Sequence, residues 1–309
     1  MSTPQTDEHH LTEALALGAT VVIGAMLAAQ TRINGALGKH TGAIVAAVVS
    51  FAVGLVLLAG AVVVSPKARQ GVMRLRRAPV RRWWYLGGVA GAAVVASSAA
   101  AAPEVGVSLV IVLVVAGATA GGLAVDAAGL GPSGRVPANR VRILGTCLAI
   151  VAVSIGAIGQ HGSFRPALLA LVGFAGVASA AQQAANGQLR GAAGDARVAA
   201  LVNFTVGLVA LVALAVVLGL TGHLPAIHWP AQSWLYLGGP LGVVFIGVSA
   251  ALVARLGVLR LTLGTVSGQV VGALVIDTIA PTPGLKLTVA TVVGALLTLV
   301  AVAVTVRAR

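Results

Sequence analysis

Apolar residues run through this chain in uninterrupted blocks rather than in alternation. Residues 41–65, 83–102, 105–125, 143–160, 166–189, 198–219 and 287–306 contain no charged side chain. Residues 14–36, 232–254 and 257–279 form three further blocks that tolerate one or two polar positions. A helix of about 20 apolar residues crosses the hydrocarbon core of a bilayer at 1.5 Å per residue. A transmembrane barrel strand would be half that length and would alternate apolar with polar positions. The pattern therefore predicts an all-α integral membrane protein of about ten transmembrane helices.

The chain also resembles itself. Residues 24–38 (GAMLAAQTRINGALG) align with 176–190 (GVASAAQQAANGQLR), which pairs Gln30 with Gln182, Asn34 with Asn186, Gly35 with Gly187 and Leu37 with Leu189. Further on, Ser50-Phe51-x-x-Gly54 faces Asn203-Phe204-x-x-Gly207. Trp83-Trp84-Tyr85-Leu86-Gly87-Gly88 faces Trp234-Leu235-Tyr236-Leu237-Gly238-Gly239, and Asp126 faces Asp277. Matches in one order at a near-constant offset mark an internal repeat. The expected organisation is a polar N-terminal tail at 1–13, a first five-helix repeat at 14–160 and a second at 161–309. Five is odd, so the second copy enters the membrane from the opposite side and the repeat is inverted.

Charge tests this orientation. The chain has 20 Lys and Arg. With the N-terminus inside, all but Arg32, Lys39, Arg165 and Lys286 fall in inner segments, as the positive-inside tendency requires. The loop after span 2 carries seven basic residues, while its counterpart at 221–232 carries none. The expected placement is a multi-pass protein of the inner membrane with both termini cytoplasmic. The composition agrees: 58% of residues are hydrophobic and 9% charged, against about 25% charged in a soluble domain. Mean hydropathy is +1.02. The formal charge of +13 resides in short loops between spans, which argues against a nucleic-acid partner. Cys147 is single and offers no disulfide or metal spacing. The first span lacks a basic leader and a small-residue cleavage site, and is expected to be retained.

The pattern Gln30-x-x-x-Asn34-Gly35-x-Leu37-Gly38, followed by Ser50-Phe51-x-x-Gly54 and by Asp126, resembles the YdcZ-type (DUF606) branch of the drug/metabolite transporter (DMT) superfamily. The second copy repeats it with Gln182, Asn186, Gly187, Phe204, Gly207, Gln269 and Asp277. The resemblance covers nearly the whole chain apart from the polar N-terminus. It implies a DMT (EamA-like) bundle in which two five-span units are fused, secondary transport by alternating access, and no ATP-binding module or other cofactor. It implies no particular substrate. The copies differ where Ser50 becomes Asn203, Gly38 becomes Arg190 and Ala118 becomes Gln269.

Polar groups inside a membrane turn toward helix partners or a cavity. Gln30 and Asn34 are four apart on one helical face, as are Gln182 and Asn186. With Asn203 and Gln269 they are the substrate-path candidates; the alternative is that they only bond helices together. Asp126 and Asp277 lie in the last turns of spans, where the helix dipole disfavours a carboxylate. They are candidates for proton coupling or gating, or for pairing with loop arginines, Arg135 or Arg142 in the case of Asp126. Trp83, Trp84, Tyr85, Trp234 and Tyr236 suit an interfacial aromatic belt. Gly129-x-Gly131-x-x-Gly134 imitates a dinucleotide fingerprint but follows a membrane helix rather than a strand. The expected function is secondary transport of a small solute, possible protons serving as coupling ion, by a monomer or homodimer. The alternative is a non-transporting scaffold or channel-like subunit. No catalytic or metal constellation is present, so an enzyme is not expected.

Overall fold

The computed structural model describes residues 4–132, 134–158, 165–282 and 287–307, and every regular element among them is helical. The first copy comprises α1 (Pro4–Thr41), α2 (Ala43–Val64), α3 (Pro66–Arg77), α4 (Gly87–Val105), α5 (Val107–Ala127) and α6 (Arg140–Ile158). The second comprises α7 (Pro166–Ala193), α8 (Ala196–Leu220), α9 (Gly238–Ile279) and α10 (Val289–Arg307). Short 3-10 turns at Arg82–Leu86 and Ser233–Tyr236 carry the paired aromatic residues into α4 and α9. Among the described residues, seven helical stretches are long and apolar enough to cross a membrane, and Gly238–Ser249 and Val289–Val304 are shorter apolar helices. With α6 these account for the ten spans. α1 starts at Pro4, so the polar stretch ahead of the first span is already helical.

Corresponding turns each pivot on a glycine of positive φ, Gly42 with ψ 147° and Gly194 in the αL region with ψ 14°. α1 meets α2 at Gly42 (φ 83°), and α7 meets α8 at Gly194 (φ 69°). A residue of positive φ redirects the chain within a single step, which glycine does without steric penalty.

α3 was not visible in the hydropathy. Its sequence, PKARQGVMRLRR, is basic throughout, yet Ala68, Gly71 and Leu75 fall on one face and are buried. They pack with Val62, Leu189, Ala193, Val198 and Ala199 beneath the α7–α8 turn. Ser65 caps the helix by accepting from the Ala68 N–H at 3.3 Å, with Pro66 in its first turn. The loop richest in positive charge is thus an amphipathic helix lying against one end of the bundle, called here the α3 face.

α9 differs from expectation, because one helical element covers both predicted spans, 232–254 and 257–279. In the first copy Pro103 lies inside α4 and Gly106 (φ 83°) ends it. The second copy has Ala254 and Gly257 at those places. Without proline no ring forces a stop at Ala254, and helical residues run on through the bend that joins the two limbs. The two limbs are nevertheless distinct. Gly238 and Gly242 face Asn34 and Gln30, whereas Gly264, Gly268 and Gly272 face Thr20, Val21 and Ala25. Position along α1 falls and then rises again, so the chain reverses between Gly242 and Gly264. Its 42 residues would measure about 63 Å if straight, twice the thickness of the hydrocarbon core.

The two copies are exchanged rather than side by side. α1 packs most extensively on α9, and α7 on α5 and α4, while α2 pairs with α8 and α6 with α10. Each pairing maps onto itself or its counterpart under the repeat, so a pseudo-twofold axis passes between α2 and α8 and between α6 and α10. Phe51 and Phe204, equivalent residues, meet on that axis with ring centroids 4.9 Å apart. Gly54 lies under the Phe204 ring and Gly207 under Phe51. Around the outside, Leu15, Val56, Val63, Leu144, Phe174, Val209 and Leu296 are exposed, as lipid-facing residues should be.

Candidate functional site

The intramembrane amides occupy the contacts between the exchanged copies. In the second copy, Gln182 Nε2 donates to Asn203 Oδ1 at 3.2 Å, and Asn203 Nδ2 donates to Asn186 Oδ1, also at 3.2 Å. α7 supplies two members four residues apart and α8 supplies the third, which is buried. Opposite them α4 presents Gly87, Gly88 and Gly91. A side-chain carbon at Gly91 would strike the Gln182 amide, and one at Gly88 would strike the Asn203 carbonyl. Only glycine lets α4 approach the amides this closely.

The first copy repeats the contact at the other end of the bundle. Asn34 and Gln30 of α1 face Gly238 and Gly242 of α9, and Gly239 between them lies on the Ser50 carbonyl of α2. Asn34 is 2% exposed, and its Oδ1 has no hydrogen-bond partner among the described residues. The difference is chemical. Asn203 links two amides where Ser50 is too short to do so, and a buried acceptor left open costs about 1–3 kcal/mol. The two clusters thus have equal geometry and unequal polarity.

The two aspartates meet different partners. Asp126 Oδ2 accepts from Arg142 Nη2 at 2.5 Å. Arg142, in the first turn of α6, is 1% exposed, and its Nε and Nη1 have no hydrogen-bond partner among the described residues. Of the two arginines that the sequence offered to Asp126, the fold therefore uses Arg142. Asp277 accepts from the N–H groups of Val107 (3.0 Å) and Ser108 (2.7 Å), the first residues of α5. A carboxylate at the negative end of its own helix thus sits on the positive end of another. Asp277→Ala is expected to destabilise the purified protein by about 1–2 kcal/mol, with Asp277→Asn milder because its carbonyl oxygen still accepts. Chemical denaturation in detergent measures this; equal loss in both variants would mean that the cap is not what Asp277 provides.

Gln269 is half-buried, with its backbone N–H against Gly24 of α1. Ser97 and Ser98 are buried in α4, and Ser97 bonds back to the Val94 carbonyl at 3.3 Å. Arg32 Nη1 donates to Thr282 Oγ1 at 3.1 Å. No group of His, Cys, Asp and Glu among the described residues could hold a metal.

One feature escaped the sequence reading. A cavity of about 380 Å³ opens on the α3 face, lined by Lys67, Arg190, the turn Gly194–Arg197, and Ile246 and Gly247 of α9. Asp195 caps α8. It accepts the Arg197 backbone N–H at 2.9 Å and the Arg197 guanidinium at 3.0 and 2.7 Å. The guanidinium hydrogen bond holds its carboxyl below the usual carboxylate range against the opposing effect of burial, with help from the backbone N–H and the nearby charge of Lys67. The only sequence signal was the change from Gly38 in the first copy to Arg190 in the second. At the other end, the 221–232 segment covers the α1–α2 turn: Pro225 lies on Gly42, and the His228 N–H donates to the His40 carbonyl at 2.9 Å.

No curated protein matches the chain. The family described as "Putative inner membrane exporter, YdcZ" matches it twice, over residues 15–155 and again over 167–304. Each match takes in one copy of the amide pair, the Phe-Gly contact and the aspartate. This multi-pass inner-membrane protein therefore belongs to the YdcZ family of DMT-type transporters, with the family unit present twice in one chain.

Proposed function

We propose that the protein is a secondary transporter that exports a small solute across the inner membrane by alternating access, with the α3 face cytoplasmic and no catalytic step. The supporting observation is that one glycine–amide contact is made twice, at opposite ends of the bundle, between exchanged inverted copies. In such an arrangement, interchanging the conformations of the two copies converts a pathway open to one face into a pathway open to the other. Here the cavity opens on the α3 face while the 221–232 segment covers the other end. Gln182, Asn186 and Asn203 act as the inner gate, and Gln30 and Asn34 as the outer one. Gln269 lines the α1–α9 contact. Asp126 and Asp277 fix the ends of α5, which must move as the gates exchange.

The reading is tested by loading proteoliposomes with a cell metabolite extract and following the release of each compound by mass spectrometry with and without a proton gradient. At least one small solute should leave faster than from empty liposomes. Asn203→Leu, which leaves the Gln182 and Asn186 amides unlinked, should slow that release about tenfold. Folded protein that releases nothing under either condition would sink the proposal.

A further inference from the structure

We propose that the cavity on the α3 face is the entry vestibule for a small anionic solute, a carboxylate or phosphate ester, and that Lys67 and Arg190 are the charges that attract it. This inference rests on the transport reading above and names its substrate class. The cavity has three cations and one carboxylate on its wall. Asp195 is matched to Arg197 by two side-chain hydrogen bonds, so among the described residues Arg190 has no anion and Lys67 acts on Asp195 only through its nearby charge, without a salt bridge. Arg74 adds a third positive group at the rim, since a side-chain carbon on Gly194 would lie 2.8 Å from its Nη1.

Positive charge on this face also follows from the positive-inside tendency, but that tendency requires only charge in the loops. It does not place cations on the wall of a cavity that reaches into the membrane. Ile246 and Gly247 lie eight and nine residues into α9. They are therefore about 12–14 Å from its first residue and close to half the depth of a core about 30 Å thick. Low-dielectric walls along that path strengthen the field of the two charges at the mouth. The inverted copy lacks the device: Gly38 and Ile44 stand in the places of Arg190 and Arg197. The asymmetry suits a solute collected from one face only.

The test uses the full chain with Cys147, which is exposed, replaced by Ala, and with a single reporter thiol placed by Ala196→Cys near the mouth or Ile246→Cys at depth. The protein is held in nanodiscs of neutral lipid. Two thiosulfonate reagents of similar size are compared, one carrying a sulfonate and the other a trimethylammonium group, each normalised to its rate with a free thiol. The sulfonate should react about tenfold faster than the cation at low salt, and the preference should shrink as salt is added. Lys67→Gln with Arg190→Gln should remove the preference, and Lys67→Glu with Arg190→Glu should invert it. Either reporter suffices if the other variant fails to fold.

Each result decides something. Thiols that react with both reagents at equal rates overturn the anion assignment and leave the transport reading standing. Thiols that react with neither show that the cavity is closed in solution, which overturns the vestibule itself. A preference present in neutral lipid but abolished by added phosphatidylglycerol identifies a lipid headgroup as the occupant and overturns the solute assignment.

Discussion

Gly88→Ala and Gly239→Ala are each expected to prevent accumulation of folded protein, although each adds a single methyl group. The obstacle is backbone rather than side chain. A Cβ on Gly88 would strike the Asn203 carbonyl and the Gly207 N–H, and one on Gly239 would strike the Ser50 carbonyl and the Gly54 N–H. A crowded side chain can rotate away, whereas here two helices must separate and lose the contacts on both sides. Overpacking a well-filled site costs about 1–3 kcal/mol, and these positions fall at the upper end because nothing flexible can yield. Gly60→Ala is the control, since a Cβ there meets nothing within 4 Å and Ala favours the helix by about 1 kcal/mol over Gly. Size-exclusion chromatography of fluorescent fusions should show a monodisperse peak for Gly60→Ala and loss of that peak for the other two. Normal peaks for all three would mean that α4 and α9 are not held against α8 and α2 as described.

Asp126→Ala should be the most damaging change of a charged residue, at about 3–5 kcal/mol. The side chains of the pair are unequally accessible, 2% for Arg142 and 18% for Asp126. Removing the carboxylate strands a buried guanidinium that already has two nitrogens without partners among the described residues. Arg142→Met takes the cation from the better-solvated member and should cost less. The double variant should be more stable than the sum of the two losses predicts, because neither charge is then left alone. Thermal unfolding of the three variants in one detergent provides the comparison. Strict additivity would show that Asp126 and Arg142 act independently.

Much of this arrangement was legible in the residues alone. Uniform hydrophobicity over about 20 positions has few structural meanings, and it exposed the spans. The repeat was legible because Gln30, Asn34, Asp126 and their counterparts stand out against a background of Ala, Val, Leu and Gly. Two helical features were not. α3 is too short and too basic to register in hydropathy, and its apolar positions, Ala68, Gly71 and Leu75, gain meaning only from the α7–α8 turn they cover. Likewise, the blocks 232–254 and 257–279 were separated by their apolar pattern, and nothing in that pattern shows that helical residues run on through the bend between them.

The site was legible in kind but not in arrangement. The amide pairs could be picked out, but nothing in one sequence says that Gln182 meets Gly91 of the other copy. The link through Asn203 depends on α7 and α8 standing at hydrogen-bonding distance, and Ser50 shows that the same place need not provide it. The cavity was invisible for the same reason. Lys67, Arg190 and Ile246 come from three separate helices, and only packing brings them to one wall.

The exchange of helices between copies also bears on the order of events during synthesis. The principal partner of α1 is α9, which begins at Gly238. The ribosome must add roughly 200 residues after α1 is complete, which takes on the order of 10–40 s at common elongation rates. Throughout that interval Gln30 and Asn34 face lipid, other unfinished helices or the insertion machinery, without the glycine surface that finally receives them. The contacts of the first half are therefore completed only when α9 arrives, and Gln30 and Asn34 are among the last polar groups to be buried.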